Sequence, residues 1–194
     1  MESIAQRWFA AFMETVQTHR ASTTLREAAE RGELKHWTQA LTGIVVGTFA
    51  ALGWRGAARG HRSDLLPVVR SEYLALDVVA FEAAGERRWR FPISVFELEN
   101  SPIDDLVAYS LWKVLCVRAS LRVVFCYRQD ALEGAELVRH LASEVVQSME
   151  IQTRSGLGGE TLVIVGSRSE TATFPYGFFK DWTLDANTAR FRRH

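Results

Sequence analysis

The chain has 194 residues, of which 47% are hydrophobic and 24% charged, and its 23 basic and 23 acidic residues cancel. This length and composition suit a folded domain with a sizeable core and exclude a disordered or low-complexity chain. Zero net charge excludes a global field that would draw the protein to nucleic acid or to an anionic membrane, so any such contact needs a local patch.

Two cysteines, Cys116 and Cys126, lie in apolar runs without C-x-x-C or zinc-ligand spacing and read as reduced core residues. The tryptophans and most phenylalanines read as core as well. The first residues lack a basic stretch followed by an apolar one, so no signal peptide is expected. The longest apolar run, about 41–54, falls short of the ~20 residues a bilayer span needs. These features predict a cytoplasmic protein without a membrane partner.

Ile4, Trp8, Phe12 and Val16 recur at steps of four and predict an amphipathic helix. Thr24-Leu25-Arg26-Glu27 has capping-box spacing and predicts a second helix start. Helix resumes near Trp37 and runs to Leu52, with Gly53 as a stop signal. Residues 54–62 read as a Gly- and Arg-rich loop, whose Arg55, Arg59 and Arg62 are candidate phosphate contacts, since glycines let backbone approach closely.

The period then changes. Residues 73–81 form a nearly unbroken apolar run, as in a strand covered on both faces, and 91–99 form a second strand after a turn at 84–86. The pair predicts a hairpin. Ser101, Pro102 and Asp104 predict the start of a helix to about Val117 that buries Ile103, Leu106, Val107, Leu111, Val114 and Leu115. A strand at 121–127, a helix at 132–149 and a strand at 161–165 follow, then an edge strand within 176–184. The fold class expected is α/β, a mixed central sheet flanked by helices and preceded by N-terminal helices. It reads as one domain over 1–194, with helices in 1–54, a motif-bearing core in 71–127 and a basic tail in 186–194.

Acidic residues interrupt both strands of the hairpin. Glu97 and Glu99 stand two apart, so both side chains point to one face. Asp77 interrupts the preceding strand, and a hairpin centred near Arg87 sets it opposite Glu97. Burying unpaired carboxylates side by side costs several kcal/mol in order of magnitude unless a cation compensates. Three carboxylates in reach of one another suit Mg²⁺ or Mn²⁺, hard cations that take oxygen ligands. Such a metal activates water and stabilises the charge that develops in phosphodiester hydrolysis.

An Asp on one strand, a hairpin, an acidic residue two before the end of the next strand, then a helix and a strand together resemble the PD-(D/E)xK nuclease superfamily, the restriction-endonuclease-like fold. The resemblance covers residues 71–127. It implies that Asp77 and Glu97 are metal ligands, with a third acid, Glu99, in the place of the usual lysine. Leu76 stands where the signature has Pro. Some restriction endonucleases carry Glu in the lysine's place, and other members put the lysine on the following helix. Asp105, Tyr109 and Lys113 share one face of that helix, so Lys113 can supply the missing cation. Glu72 and Tyr109 are accessory candidates.

The resemblance implies a metal-dependent nuclease, with DNA as the expected partner and defence, repair or mobile elements as its context. Family members often dimerise so that two sites cut two strands, which makes a homodimer a candidate assembly. The alternative is a catalytically silent module of the same fold that binds nucleic acid or a protein; neutral charge and the missing lysine favour it.

Overall fold

The computed structural model describes residues 3–193. Helix α1 (Ile4–Gln17) opens on a capping box in which Ser3 and Gln6 each bond the other's backbone, and it buries Trp8, Phe12 and Val16. Helix α2 (His19–Arg31) begins a turn before the expected start at Thr24. The Thr24 hydroxyl is not a cap; it donates to the Arg20 carbonyl one turn back, at 3.0 Å. Helix α3 (Leu34–Ala51) follows, and Gly53 takes φ +69 just beyond it.

The expected Gly- and Arg-rich loop is in fact a strand at its start, β1 (Trp54–Ala58). Its partner is β2 (Val78–Glu82), so the first predicted strand is shorter than 73–81. The segment before it makes a turn closed by the Leu76 N–H on the Tyr73 carbonyl at 3.1 Å, with Leu74 at φ +59 and Ala75 at φ +54. Left-handed backbone at non-glycine residues costs roughly 1–2 kcal/mol each, and no glycine signals this turn in the sequence.

Strand β3 (Ser94–Leu98) is antiparallel to β2. It starts after Pro92, which has no N–H to give a ladder. Helix α4 (Asp104–Leu115) starts later than expected: its N-cap is Ile103, and Ser101 instead accepts the Ile103 N–H. Val107, Leu111, Val114 and Leu115 are buried as predicted. Ile103 and Leu106 are exposed, at 57% and 45%: Ile103 is the N-cap, outside the helical repeat, and Leu106 lies off the face that carries Val107, Leu111 and Val114.

Strand β4 (Leu121–Arg128), helix α5 (Ala131–Leu141), a π-helical stretch (Ala142–Val146) and a short α6 (Ile151–Ser155) lead to β5 (Glu160–Ser167). A 3₁₀ segment (Arg168–Thr173) precedes β6 (Phe179–Asp185). The expected basic tail pairs with β6 as β7 (Arg190–Arg193), so β6 is internal and β7 forms the edge.

The seven strands lie side by side in chain order, parallel at β3–β4–β5 and antiparallel on both flanks. The mixed α/β class with leading helices is therefore as expected. Both parallel crossovers advance in one direction, which places α4 and α5 on the same face of the sheet. Val79, Val95, Val124 and Val163 pack there with Val107, Leu111 and Leu137. Helices α1–α3 cover the opposite face, where Trp8, Phe12 and Phe49 meet Phe96 and Phe125. Cys126 is buried, whereas Cys116 is exposed at the end of α4, and Trp89 and Trp112 are also exposed. Neither cysteine forms a disulfide. Among the described residues, no helix is long and apolar enough to cross a membrane.

Among the described residues, Arg122 on β4 is the most deeply buried charged side chain, at 2% exposure. Its guanidinium donates to the carbonyls of Val117, Leu157 and Gly158 at 2.8–2.9 Å, tying the end of α4 to the glycine loop before β5. Arg122→Met keeps much of the volume but strips three carbonyls of their donor. A loss of about 3 kcal/mol is expected, read as a lower urea midpoint; an unchanged midpoint would contradict this role.

Candidate functional site

The β2–β3 ladder pairs Val78 with Phe96 and Val79 with Val95, a register that carries Asp77 to the place opposite Glu97. Asp77 sits one residue before β2 and caps the ladder with its side chain: its Oδ2 accepts the Leu98 N–H at 2.8 Å. Its own N–H donates to Glu97 Oε1 at 3.3 Å. The two acids thus hold each other's strands at the mouth of the hairpin.

Glu97 alternates with Phe96 and Leu98, which point into the core beneath α1–α3, so its own side chain faces α4. It is 5% exposed. There the ammonium of Lys113 lies 2.7 Å from Glu97 Oε2 and donates to the Ala75 carbonyl at 2.9 Å. The left-handed Leu74–Ala75 turn aims that carbonyl at the lysine. Ser110 completes the surroundings, its hydroxyl 3.5 Å from Oε2.

Burial raises the Glu97 carboxyl to about 7, with the negative charge of Asp77 adding to the effect and Lys113 opposing it. Asp77 opens towards a cleft, yet the protein packed around its carboxyl also raises it; the Leu98 hydrogen bond and Lys113 oppose, while Glu99 and Glu72 add.

Glu99 lies just past β3, half-buried, and its Oε1 accepts the Ser101 N–H at 2.8 Å. Among the described residues, no group of three or more His, Cys, Asp or Glu is gathered in metal-holding geometry. The expected three-carboxylate cluster reduces to the Asp77–Glu97 pair with Glu99 beside it. The pair still fits a hard divalent cation, which commonly takes one or two carboxylates and completes its shell with water. With the Glu97 carboxyl raised to about 7, a cation bound at the pair would displace its proton.

Tyr109 is exposed, with its ring centre 5.9 Å from the Lys113 ammonium and stacked against Trp112. Asp105, expected on the same wall, reaches instead towards His140 of α5, at 3.7 Å. Arg55 is paired with Asp64 at 2.6 Å. Arg62 is exposed, and Arg59 stands at the tip of a turn closed by hydrogen bonds in both directions between Ala58 and His61. Gly60 in that turn takes φ +85, which side-chain-bearing residues rarely adopt.

A cleft of about 650 Å³ opens between this turn and α3, with Asp77 and Glu72 on one side and Lys35, Gln39 and Arg59 among its other walls. Asn100, just after β3, donates to the Thr38 hydroxyl and so joins the exit of β3 to α3. Sequence reasoning missed Lys35, Gln39 and His61. A signal was the polar set Lys35, Thr38, Gln39 and Thr42, which shares one face of α3.

The raised Glu97 carboxyl has a consequence for stability. Between about 4.5 and about 7 the folded state holds a proton that the unfolded chain has released. Stability from this group is therefore full below the unfolded value and is lost as pH rises through about 7. The groups that face Glu97 are Asp77, just before β2, and Lys113 and Ser110 from α4. Glu97→Gln is expected to flatten the fall in melting temperature across this window without metal. An identical pH profile in the variant would contradict the assignment.

No family model, curated protein or solved structure matches this chain.

Proposed function

We propose that the chain is a divalent-metal-dependent nuclease that hydrolyses phosphodiester bonds of DNA in the cytoplasm. The observation that carries this reading is the Lys113 ammonium 2.7 Å from Glu97, with Asp77 opposite Glu97 in the β2–β3 register. This is the acid–acid–cation set that the resemblance to PD-(D/E)xK nucleases requires, with the lysine supplied from the following helix.

In this reading Asp77 and Glu97 hold Mg²⁺ or Mn²⁺, and Glu99 assists as a nearby acid. The metal supplies Lewis acidity and lowers the pKa of its bound water. Lys113 does the remaining electrostatic work: its ammonium, fixed by the Ala75 carbonyl, orients the attacking water and offsets charge that builds on the phosphoryl oxygens. Tyr109 shields one side of that ammonium. If duplex DNA is cut in both strands, a homodimer supplies the second site.

The test is incubation of the purified chain with single-stranded and duplex DNA and with RNA, in Mg²⁺, Mn²⁺ or EDTA. Cleavage that needs the metal supports the reading. No cleavage of any nucleic acid with either metal overturns it. A specific observation favours a second reading, a silent module that binds without cutting: among the described residues, no third acid joins Asp77 and Glu97 in metal-holding geometry. That module would bind nucleic acid or a protein partner and cleave nothing.

A further inference from the structure

We propose that the cleft between α3 and the Ala58–His61 turn is a channel for one nucleic-acid strand, so that the substrate is single-stranded DNA or an unpaired end. The inference rests on the nuclease reading and names its substrate class.

The cleft carries charge in a pattern suited to a phosphodiester. Lys35 from α3 and Arg59 from the turn are exposed, line the cleft, and among the described residues form no hydrogen bond or ion pair. Other surface cations of this protein do engage an acid, as Arg55 does with Asp64, Arg26 with Glu30 and Arg192 with Asp185. Here the acids that line the same cleft, Asp77 and Glu72, leave both cations unengaged. A strand with its phosphates on Lys35 and Arg59 would bring its backbone alongside Asp77.

Size and lining point to one strand. A volume of about 650 Å³ lies within the roughly 300–1,000 Å³ of pockets that enclose a small molecule, room for about one or two nucleotides. The Gln39 amide lines the same cleft and, among the described residues, has no partner. It both donates and accepts, which suits the exposed Watson–Crick edge of an unpaired base. In a duplex that edge is occupied by the opposite strand. The tight Ala58–His61 turn, permitted by Gly60, holds Arg59 at the rim on a short, doubly bonded loop.

The experiment uses the full chain carrying Asp77→Asn, so that nothing is cut, in EDTA. Binding of a fluorescein-labelled single-stranded oligonucleotide is compared by anisotropy with binding of the same sequence as a duplex. The single strand is expected to bind at least about tenfold more tightly. Lys35→Glu and Arg59→Glu should each weaken it about tenfold and lower the salt slope by about one. Arg139→Glu, on α5 and outside the cleft, is the control and should change neither. All three positions are exposed, and circular dichroism verifies that the variants fold. Equal or tighter duplex binding, or affinity unmoved by Lys35→Glu and Arg59→Glu, overturns the inference. The two readings fail separately: duplex-preferring cleavage sinks the channel and spares the nuclease. Cleft-dependent single-strand binding by a chain that cuts nothing spares the channel and sinks the nuclease.

Discussion

Asp77→Asn is expected to reduce metal-dependent cleavage about a thousandfold or more while leaving the fold intact. The amide has the shape of the carboxylate, and its oxygen can still accept the Leu98 N–H that Asp77 Oδ2 accepts at 2.8 Å. The end of the β2–β3 ladder therefore stays closed. What is lost is the charge, and the metal is left with Glu97 as its one close acid. Several kcal/mol of transition-state stabilisation depend on that metal, each 1.36 kcal/mol being a factor of ten in rate. A second readout follows from the same electrostatics. Asp77 helps to hold the Glu97 carboxyl at about 7, so in the variant this value should fall, visible in the pH dependence of stability. Cleavage within tenfold of the parent would remove Asp77 from the site.

Lys113→Met is expected to cost about a hundred- to a thousandfold in cleavage rate, the range seen when one preorganised donor is removed from a developing charge. Methionine keeps most of the apolar stem, so packing on α4 changes little. The effect on stability depends on pH. Without its lysine, Glu97 keeps only the Asp77 N–H among the influences that lower its carboxyl, so its pKa rises further. At pH 6 the variant should lose only about 1 kcal/mol, mainly the hydrogen bond to the Ala75 carbonyl. Above pH 8 the loss should grow, because a buried carboxylate without its cation is costly. Full activity in Lys113→Met would leave Glu99 as the group that assists the metal.

How much of this could be read from residues alone depends on whether the signal was local. The hairpin register was legible, because a centre near Arg87 fixes by counting which residues of the two strands face each other. That reasoning set Asp77 opposite Glu97, and the ladder does the same. Lys113 was legible only in part: steps of four set it on one helix face with Asp105 and Tyr109, and of the three only Lys113 turns to Glu97, while Asp105 reaches towards His140 and Tyr109 is exposed.

Other features have no local signature. The Tyr73–Leu76 turn is built from Leu74 and Ala75 at positive φ, residues that read as strand; tertiary contacts hold them there, including the Lys113 bond to Ala75. The start of α4 was misplaced because Ser101 and Pro102 have the right chemistry for a helix start, while Glu99 takes the Ser101 N–H and delays the first turn. Lys35 and Gln39 share a cleft with Asp77 only through the packing of α3 on the sheet, a juxtaposition that spacing along the chain does not encode. Arg122 gave no signal either: a charged residue in an apolar strand becomes intelligible only with the three carbonyls it binds.

The central claim is that Asp77 and Glu97 together hold a divalent cation. The most direct measurement is a crystal structure of the wild-type chain soaked in Mn²⁺, with the metal located by its anomalous scattering. The account predicts a peak between the two carboxyl groups, about 2.1 Å from an oxygen of each, with the Lys113 ammonium beside it. No peak there at a Mn²⁺ concentration that fills other sites, or a metal bound by neither acid, would contradict it.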